Sequence, residues 1–209
     1  NNMDFIDKAS YSGNIILDNF DVGTLLQRKD IGRTTLNLDV DGVGFTEKYL
    51  NTIVKGDIAK LDYNKYTYNN IVVNGNFKLP YYKGQVSIND PNVSLTFDGL
   101  VDLSKRESKY DFHINVENAD LRKLKFVKDS ISHFSGDAIV ELTGNSIENL
   151  QGNVYIKDAV YKNPKSTYVF DEITVNSNFD KDRLRTININ SSDVVNGEIV
   201  GKFQFKELD

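Results

Sequence analysis

The sequence predicts an all-β protein, an elongated, curved antiparallel sheet built from two tandem repeats, and three observations predict it. Apolar and polar residues alternate with period two in "LNLDVDG" (36–42), "IVVNGNF" (71–77), "GQVSI" (84–88) and "NVSLTFDGLVDL" (92–103), and again in "YDFHINVE" (110–117), "AIVELTG" (138–144), "GNVYI" (152–156) and "TININ" (186–190). That pattern belongs to strands with one wet face. A twelve-residue phrase, "YTYNNIVVNGNF" (66–77), returns as "YVFDEITVNSNF" (168–179). Finally, 12 Phe and 11 Tyr with no Trp and only 3 Pro suit long strands better than a loop-rich scaffold.

The elements follow in order. "DVGTLLQ" (21–27) and "DLRKLKFVKDS" (120–130) each begin with an Asp able to cap a short helix, and "TEKYLNTI" (46–53) fits one or two helical turns. "NKY" (64–66), "NDPN" (89–92) and "NPKS" (163–166) are turn signals at hairpin distance, so the strands form a meander of about six per repeat. In both copies of the phrase the apolar parity flips between the Tyr-x-aromatic pair and the following Ile, which predicts a β-bulge that bends the sheet.

The repeat extends beyond the phrase. Ile71, Val73 and Phe77 match Ile173, Val175 and Phe179 at a shift of 173 minus 71, or 102, and Gly42 with Gly144 and Gly99 with Gly201 share that shift. "LDNFDVGTLL" (17–26) resembles "VENADLRKLK" (116–125), pairing Asp21 with Asp120 at 99, while Gly56 against Gly152 gives 96. The chain divides into units 1–103 and 104–209, both expected to belong to one continuous sheet, and no shorter coil-by-coil period of a β-helix is present.

Composition narrows the function. Without cysteine there are no disulfides, Cys-type zinc sites or thiol nucleophiles. Scattered Lys and Arg, 25 against 30 acidic residues, provide no phosphate-binding surface, so nucleic acid is not an expected partner. No apolar run reaches the roughly 18 residues of a membrane span. His113 falls on the polar face of its strand and His133 in a loop, without a catalytic pattern around either. "DVDGVG" (39–44) lacks the later ligands of a calcium loop, which leaves Asp39 and Asp41 on an outer strand face and Gly42 and Gly44 as turn residues. The chain is expected to be no enzyme and to need no cofactor or metal.

Helix is too scarce to cover a sheet of about twelve strands, so its apolar face needs another explanation. Either the sheet closes on itself as a structural β-sandwich, or it forms a trough with an open apolar face. Repeats that stack edge to edge favour one continuous groove. The strand-like "GKFQFKELD" at the end, with no polar capping segment after it, reads as a piece of a longer protein.

The ordered series "NFDVGTLL", "LNLDVDGVGF", "GDIAKLDYNKYTYNNIVVNGNF", "YKGQVSINDPNVSLTFDGLVDLSK" and "YDFHINVENADLRKLKF" resembles the translocation and assembly module family TamB, within the AsmA-like superfamily. The resemblance covers essentially the full chain through its order, not through any single motif. It implies a β-taco, a curved sheet with an apolar interior. It also implies a periplasmic setting in a diderm (Gram-negative) bacterium, an inner-membrane anchor on the full-length protein and an outer-membrane barrel partner of the TamA type. Its implied roles are phospholipid transport in outer-membrane biogenesis and outer-membrane protein assembly.

Parity supplies the groove residues. The inward set is Ile71, Val73, Phe77, Val86, Ile88, Val93, Leu95, Phe97 and Val101, then Phe112, Ile114 and Val116. It continues through Ala138, Val140, Leu142, Val154, Ile156, Ile173, Val175, Phe179, Ile187, Ile189, Ile199 and Phe203. Such a wall suits acyl chains, since moving a two-chain phospholipid through water costs on the order of 20 kcal/mol at about 0.8 kcal/mol per CH₂. The same wall also suits a chaperone that holds unfolded β-strands at the sheet edge. The partners expected are a phospholipid or other acyl lipid, a barrel partner and neighbouring repeats of the same chain.

Overall fold

A computed structural model describes residues 8–202 apart from 45, 47, 79, 129–130 and 192–195. Twelve strands form one sheet in strict sequence order. They are β1 (Ser10–Asp21), β2 (Ile31–Val43), β3 (Asn51–Tyr63), β4 (Tyr66–Lys78), β5 (Tyr81–Asp90) and β6 (Val93–Asp102). The series continues with β7 (Lys109–Asp120), β8 (His133–Thr143), β9 (Gln151–Lys162), β10 (Thr167–Phe179), β11 (Arg185–Ser191) and β12 (Asn196–Gly201). Every neighbouring pair is antiparallel. The fold is the all-β, elongated sheet that the alternation predicts.

The sheet is open. β1 and β12 are its two edges and do not pair, so the closed sandwich does not form. The chain exposes 13905 Å², against roughly 9,800 Å² expected for a compact monomer of its 23.7 kDa mass. Fully buried apolar side chains are correspondingly few among the described residues: Ile71, Val93, Ala119, Leu124, Ala159 and Ile187.

Local chemistry explains the connections. The two residues joining β3 to β4, Asn64 and Lys65, both have positive φ (53° and 68°), the conformation of a type I′ hairpin turn. Between β9 and β10 the Asn163 side chain accepts hydrogen bonds from the Lys165 and Ser166 amides, each 2.9 Å long. The capped helix appears as α1 (Val22–Leu26), with Asp21 Oδ1 accepting from Thr24 N at 2.9 Å.

Two other helical expectations shrink to single turns. In 120–128, the Leu124 amide donates to Asp120 O, but Lys125 enters the left-handed region (φ 70°) and the Phe126 amide turns back to Leu121 O. Residues 129–130 of that stretch lie outside the described set. In 46–53, the Tyr49 and Leu50 amides both donate to Thr46 O before β3 takes over at Asn51. His133, expected in a loop, instead opens β8 and pairs with Asp120 and Lys162. A short 3₁₀ turn at Ile147–Asn149 was not legible in the sequence.

A crease crosses the sheet. Pairing slips between Leu17 and Phe20 of β1, at Thr35/Leu36 of β2, between Ser94 and Leu95 of β6, between Val116 and Ala119 of β7 and between Ser135 and Asp137 of β8. Asn19, Asn70 and Asp158 stand on it with φ of 49°, 51° and 49°. In the first phrase β4 keeps its register with β3 through the predicted bulge, and only the positive φ of Asn70 marks the place; in the second, β10 likewise stays in register with β9 and the slip lies between β8 and β9, around Asp158. Such slips bend a sheet and increase its twist. Beyond the crease, Val93, Ala119 and Leu124 form a small core with Tyr66, Tyr68, Ile88, Leu95, Val116 and Leu121 packed against it.

The repeat is visible in hydrogen bonds. Asp120 Oδ1 accepts from Lys123 N at 3.0 Å, as Asp21 does from Thr24, and the bulges of β1 and β7 lie 116 minus 17, or 99, residues apart. Gly44 N donates to Ala9 O, and Gly144 N to Ser108 O, each at 3.0 Å. The counterpart of Gly144 is therefore Gly44, not Gly42, which lies inside β2 opposite Thr52. A two-residue slip keeps every side chain on its face, so the apolar pattern alone does not detect it.

Candidate functional site

Following the pairing across the sheet turns the expected inward residues into rows. One row runs Leu38–Gly56–Val73–Val86–Phe97–Ile114–Ala138–Ile156–Ile173 from β2 to β10. Two residues along the strands, a second runs Val40–Val54–Gly75–Gly84–Gly99–Phe112–Val140–Val154–Val175–Ile189 to β11. A third holds Phe77, Tyr82, Val101, Tyr110, Leu142, Gly152, Ser177, Ile187 and Ile199. The fourth follows the crease through Leu36, Ile58, Ile71, Ile88, Leu95, Val116 and Gly136.

Val93 lies past the crease in the small core, Phe179 stands opposite Arg185 at the rim, and Phe203 lies outside the described residues. The other expected residues all fall on this single face. The wall also reaches further than the sequence set, through Leu17, Leu36, Leu38, Val40, Val54 and Ile58 of β1–β3. The period-two pattern of "LNLDV" was the signal for the β2 members.

Three glycines face one another in the second row, and the space is filled by aromatics. Tyr82, Phe97 and Phe112 pack in sequence, with ring centroids 6.2 and 5.1 Å apart. Gly99 has φ 150°, and a Cβ there would lie 2.4 Å from the Asp111 carbonyl oxygen and 2.5 Å from Phe112 Cβ. Gly99→Ala is therefore expected to destabilise the sheet by about 2 kcal/mol, read as a lower urea midpoint at unchanged m-value.

The two faces differ in exposure and chemistry. Val72, on the opposite face, is 47% exposed, whereas its neighbour Val73 on the wall is half-buried. Wall side chains shield one another, and among the described residues no further layer covers them. The opposite face is a polar ladder: Asn14 donates to Asn37 and Asp39, Gln85 to Asp98 and Asn176 to Asn153, at 2.6 to 3.0 Å. A recess of about 640 Å³ on that face is bordered by Lys55, Asn74, Gln85, Asp98 and His113, so enclosure by itself does not mark the apolar wall.

His113 Nε2 lies 2.7 Å from Asp137 Oδ2. Burial pushes the Asp137 pKa up, but hydrogen bonds from His113 and Asn115 outweigh it and leave it below the usual carboxylate range. Asp39 stands opposite Lys55 in β2 and accepts from Asn14. Among the described residues no three His or acidic side chains gather as a metal site. At the rim of the wall, buried Arg185 donates to the Ile147 and Leu150 carbonyls and to Ser177 Oγ, tying β11 to the 3₁₀ turn. No family model, curated protein or solved structure matches the chain.

Proposed function

We propose that this chain is a stretch of a lipid conduit, carrying the acyl chains of phospholipids along the apolar face of its sheet while head groups stay in water. The supporting observation is the run of apolar rows across consecutive strands on a face that no described residues cover as a second layer. Four rows two residues apart make a band roughly 20 Å tall, close to an acyl chain, and twelve strands at about 4.8 Å spacing extend it to roughly 53 Å. Strands run to 13 residues, longer than the six or so a band of that height needs, and beyond the crease the extra length carries the small core around Val93. An apolar wall attracts without direction, so a lipid can slide along it.

The resemblance to TamB adds the proposed setting: a periplasmic segment of an inner-membrane-anchored protein, working with a TamA-type barrel in outer-membrane biogenesis. Nothing in this function calls for catalysis. A second reading, strand chaperoning for outer-membrane β-proteins, draws support from the two sheet edges, which carry no partner strand among the described residues.

One experiment separates them. A photo-crosslinking residue at Phe97, on the wall, and at Thr96, on the polar face, is introduced into the full-length protein in cells. Phospholipid adducts at 97 and none at 96 are expected; protein adducts at 97 in their place would move the assignment to strand chaperoning.

A further inference from the structure

The two edge strands, which pair with no second strand on their outer sides among the described residues, match each other. β1 carries Tyr11-Ser12-Gly13 and β12 carries Gly197-Glu198-Ile199. The same two patterns are already paired inside the sheet: Tyr82 and Gly84 of β5 stand opposite Val101 and Gly99 of β6. There the glycines face one another and the Tyr ring lies over the next glycine, its hydroxyl 2.9 Å from where a Cβ of Gly75 would be. At the edges, a Cβ added to Gly13 or Gly197 would meet nothing within 4 Å. Both lack the neighbour that Gly84 and Gly99 have.

We propose that β12 of one copy of this chain pairs antiparallel with β1 of a second copy, with Ile199 opposite Tyr11 and Gly197 opposite Gly13. A second, independent reading of the sheet gives the same register. The row that starts at Tyr11 passes through Val101 and arrives at Tyr110, which is 11 plus 99, and the row from Ile15 arrives at Ile114. Six strands thus add no net shear relative to the repeat. Carried on, the row from Tyr110 reaches Ile199 and next meets the second copy's Tyr11, as Val101 meets Tyr110 within the chain.

Over the segments that would meet, 10–17 of β1 and 196–201 of β12, two of the usual protections against pairing are missing. Neither strand contains Lys or Pro, the residues that commonly blunt an edge. Ile15, Ile16, Phe20, Ile199 and Val200, all on these two strands, are more than 40% exposed. The bulge after Leu17 confines the contact to the first part of β1. Such a contact is head-to-tail and does not close on itself, so it extends the sheet as a linear stack. It rests on register and edge chemistry, not on the lipid reading, and can fail separately from it.

The chain has no cysteine, which permits a clean test. In the proposed register Ser12 of one copy stands opposite Glu198 of the other, on the exposed polar face where substitution leaves the wall intact. Variants S12C and E198C, mixed and oxidised, are expected to give a disulfide-linked dimer at least about tenfold faster than S12C mixed with N196C, because Cα atoms of directly opposed residues fall in the 4.4–6.8 Å range a disulfide needs. The double variant S12C/E198C is expected to give a ladder of covalent multimers, with the native β signal in circular dichroism unchanged. Equal rates for the two mixtures, self-coupling of S12C faster than either, or a strictly monomeric chain at high concentration would each overturn the proposal.

Discussion

Replacing Asp90 with alanine is expected to lower the stability of the sheet by about 3 kcal/mol, because this 5% exposed carboxylate gathers donors from three directions. It accepts from the Tyr66 hydroxyl, from Asn69 Nδ2 at 2.7 Å and Asn69 N at 3.0 Å, and from Asn92 N at 2.9 Å. Asn92 Nδ2 in turn donates to the Tyr66 oxygen at 2.8 Å. The network joins β4 to the β5–β6 hairpin where the crease begins. Removing the acceptor strands several part-buried donors at once, and urea unfolding reads the loss.

The same network sets a pH window. Burial pushes the Asp90 pKa up, but the hydrogen bonds from Tyr66 and Asn69 and the Asn92 amide leave it below its ordinary value. The stability it contributes is present above about pH 4, where the unfolded carboxyl is ionised, and is lost as pH falls through the lower folded value. Tyr66 works at the other end: burial first, then the bond to Asp90, raises its pKa to about 12. Its contribution is full below about pH 10 and is lost as pH rises toward 12. Tyr66→Phe is expected to shrink the alkaline decline in the urea midpoint, leaving the part that Tyr68 and Tyr82 supply through their own burial-raised pKa values, and to weaken the acid limb because Asp90 loses the Tyr66 hydrogen bond; an unchanged alkaline limb would exclude Tyr66 as an alkaline group.

Much of this architecture was legible because a two-residue period is a direct record of which side chains face together. "NVSLTFDGLVDL" specified both the strand and the face of Leu95, Phe97 and Val101, and Asp21 specified the helix it caps. What stayed hidden was position along the strand. The repeated phrase equates Val73 with Val175, yet in the sheet Val73 shares its row with Ile173. A slip of two residues leaves the apolar pattern unchanged, and only long-range pairing fixes it. Arg185 was hidden for a related reason: on the apolar face by parity, it is kept there by carbonyls of a turn 35 to 38 residues away in sequence. The crease was half visible, as a parity flip at Asn69-Asn70, but its continuation through Asn19 and Asp158 depends on neighbouring strands bending together.

Placing a carboxylate on the wall is expected to have the larger functional effect. In Phe97→Asp, a ring that packs between Tyr82 and Phe112 is replaced by a charge in the middle of the apolar row that runs from β2 to β10. An acyl chain crossing that point loses the apolar area of the ring and meets a solvated group. Loss of about 2 kcal/mol of contact corresponds to roughly thirtyfold weaker binding of a fluorescent phospholipid by the purified chain. Thr96→Asp changes the adjacent residue by a comparable charge but points it to the polar face, beside Ser87 and Asn115, and is expected to leave binding unchanged. Urea midpoints measured on both variants separate loss of binding from loss of fold, and Phe97→Leu, which keeps the wall apolar, restores binding if the wall acts as a non-directional surface. Equal losses at 96 and 97 in folded protein would show that lipid is held by charge or by the polar recess, and the conduit assignment would then fall.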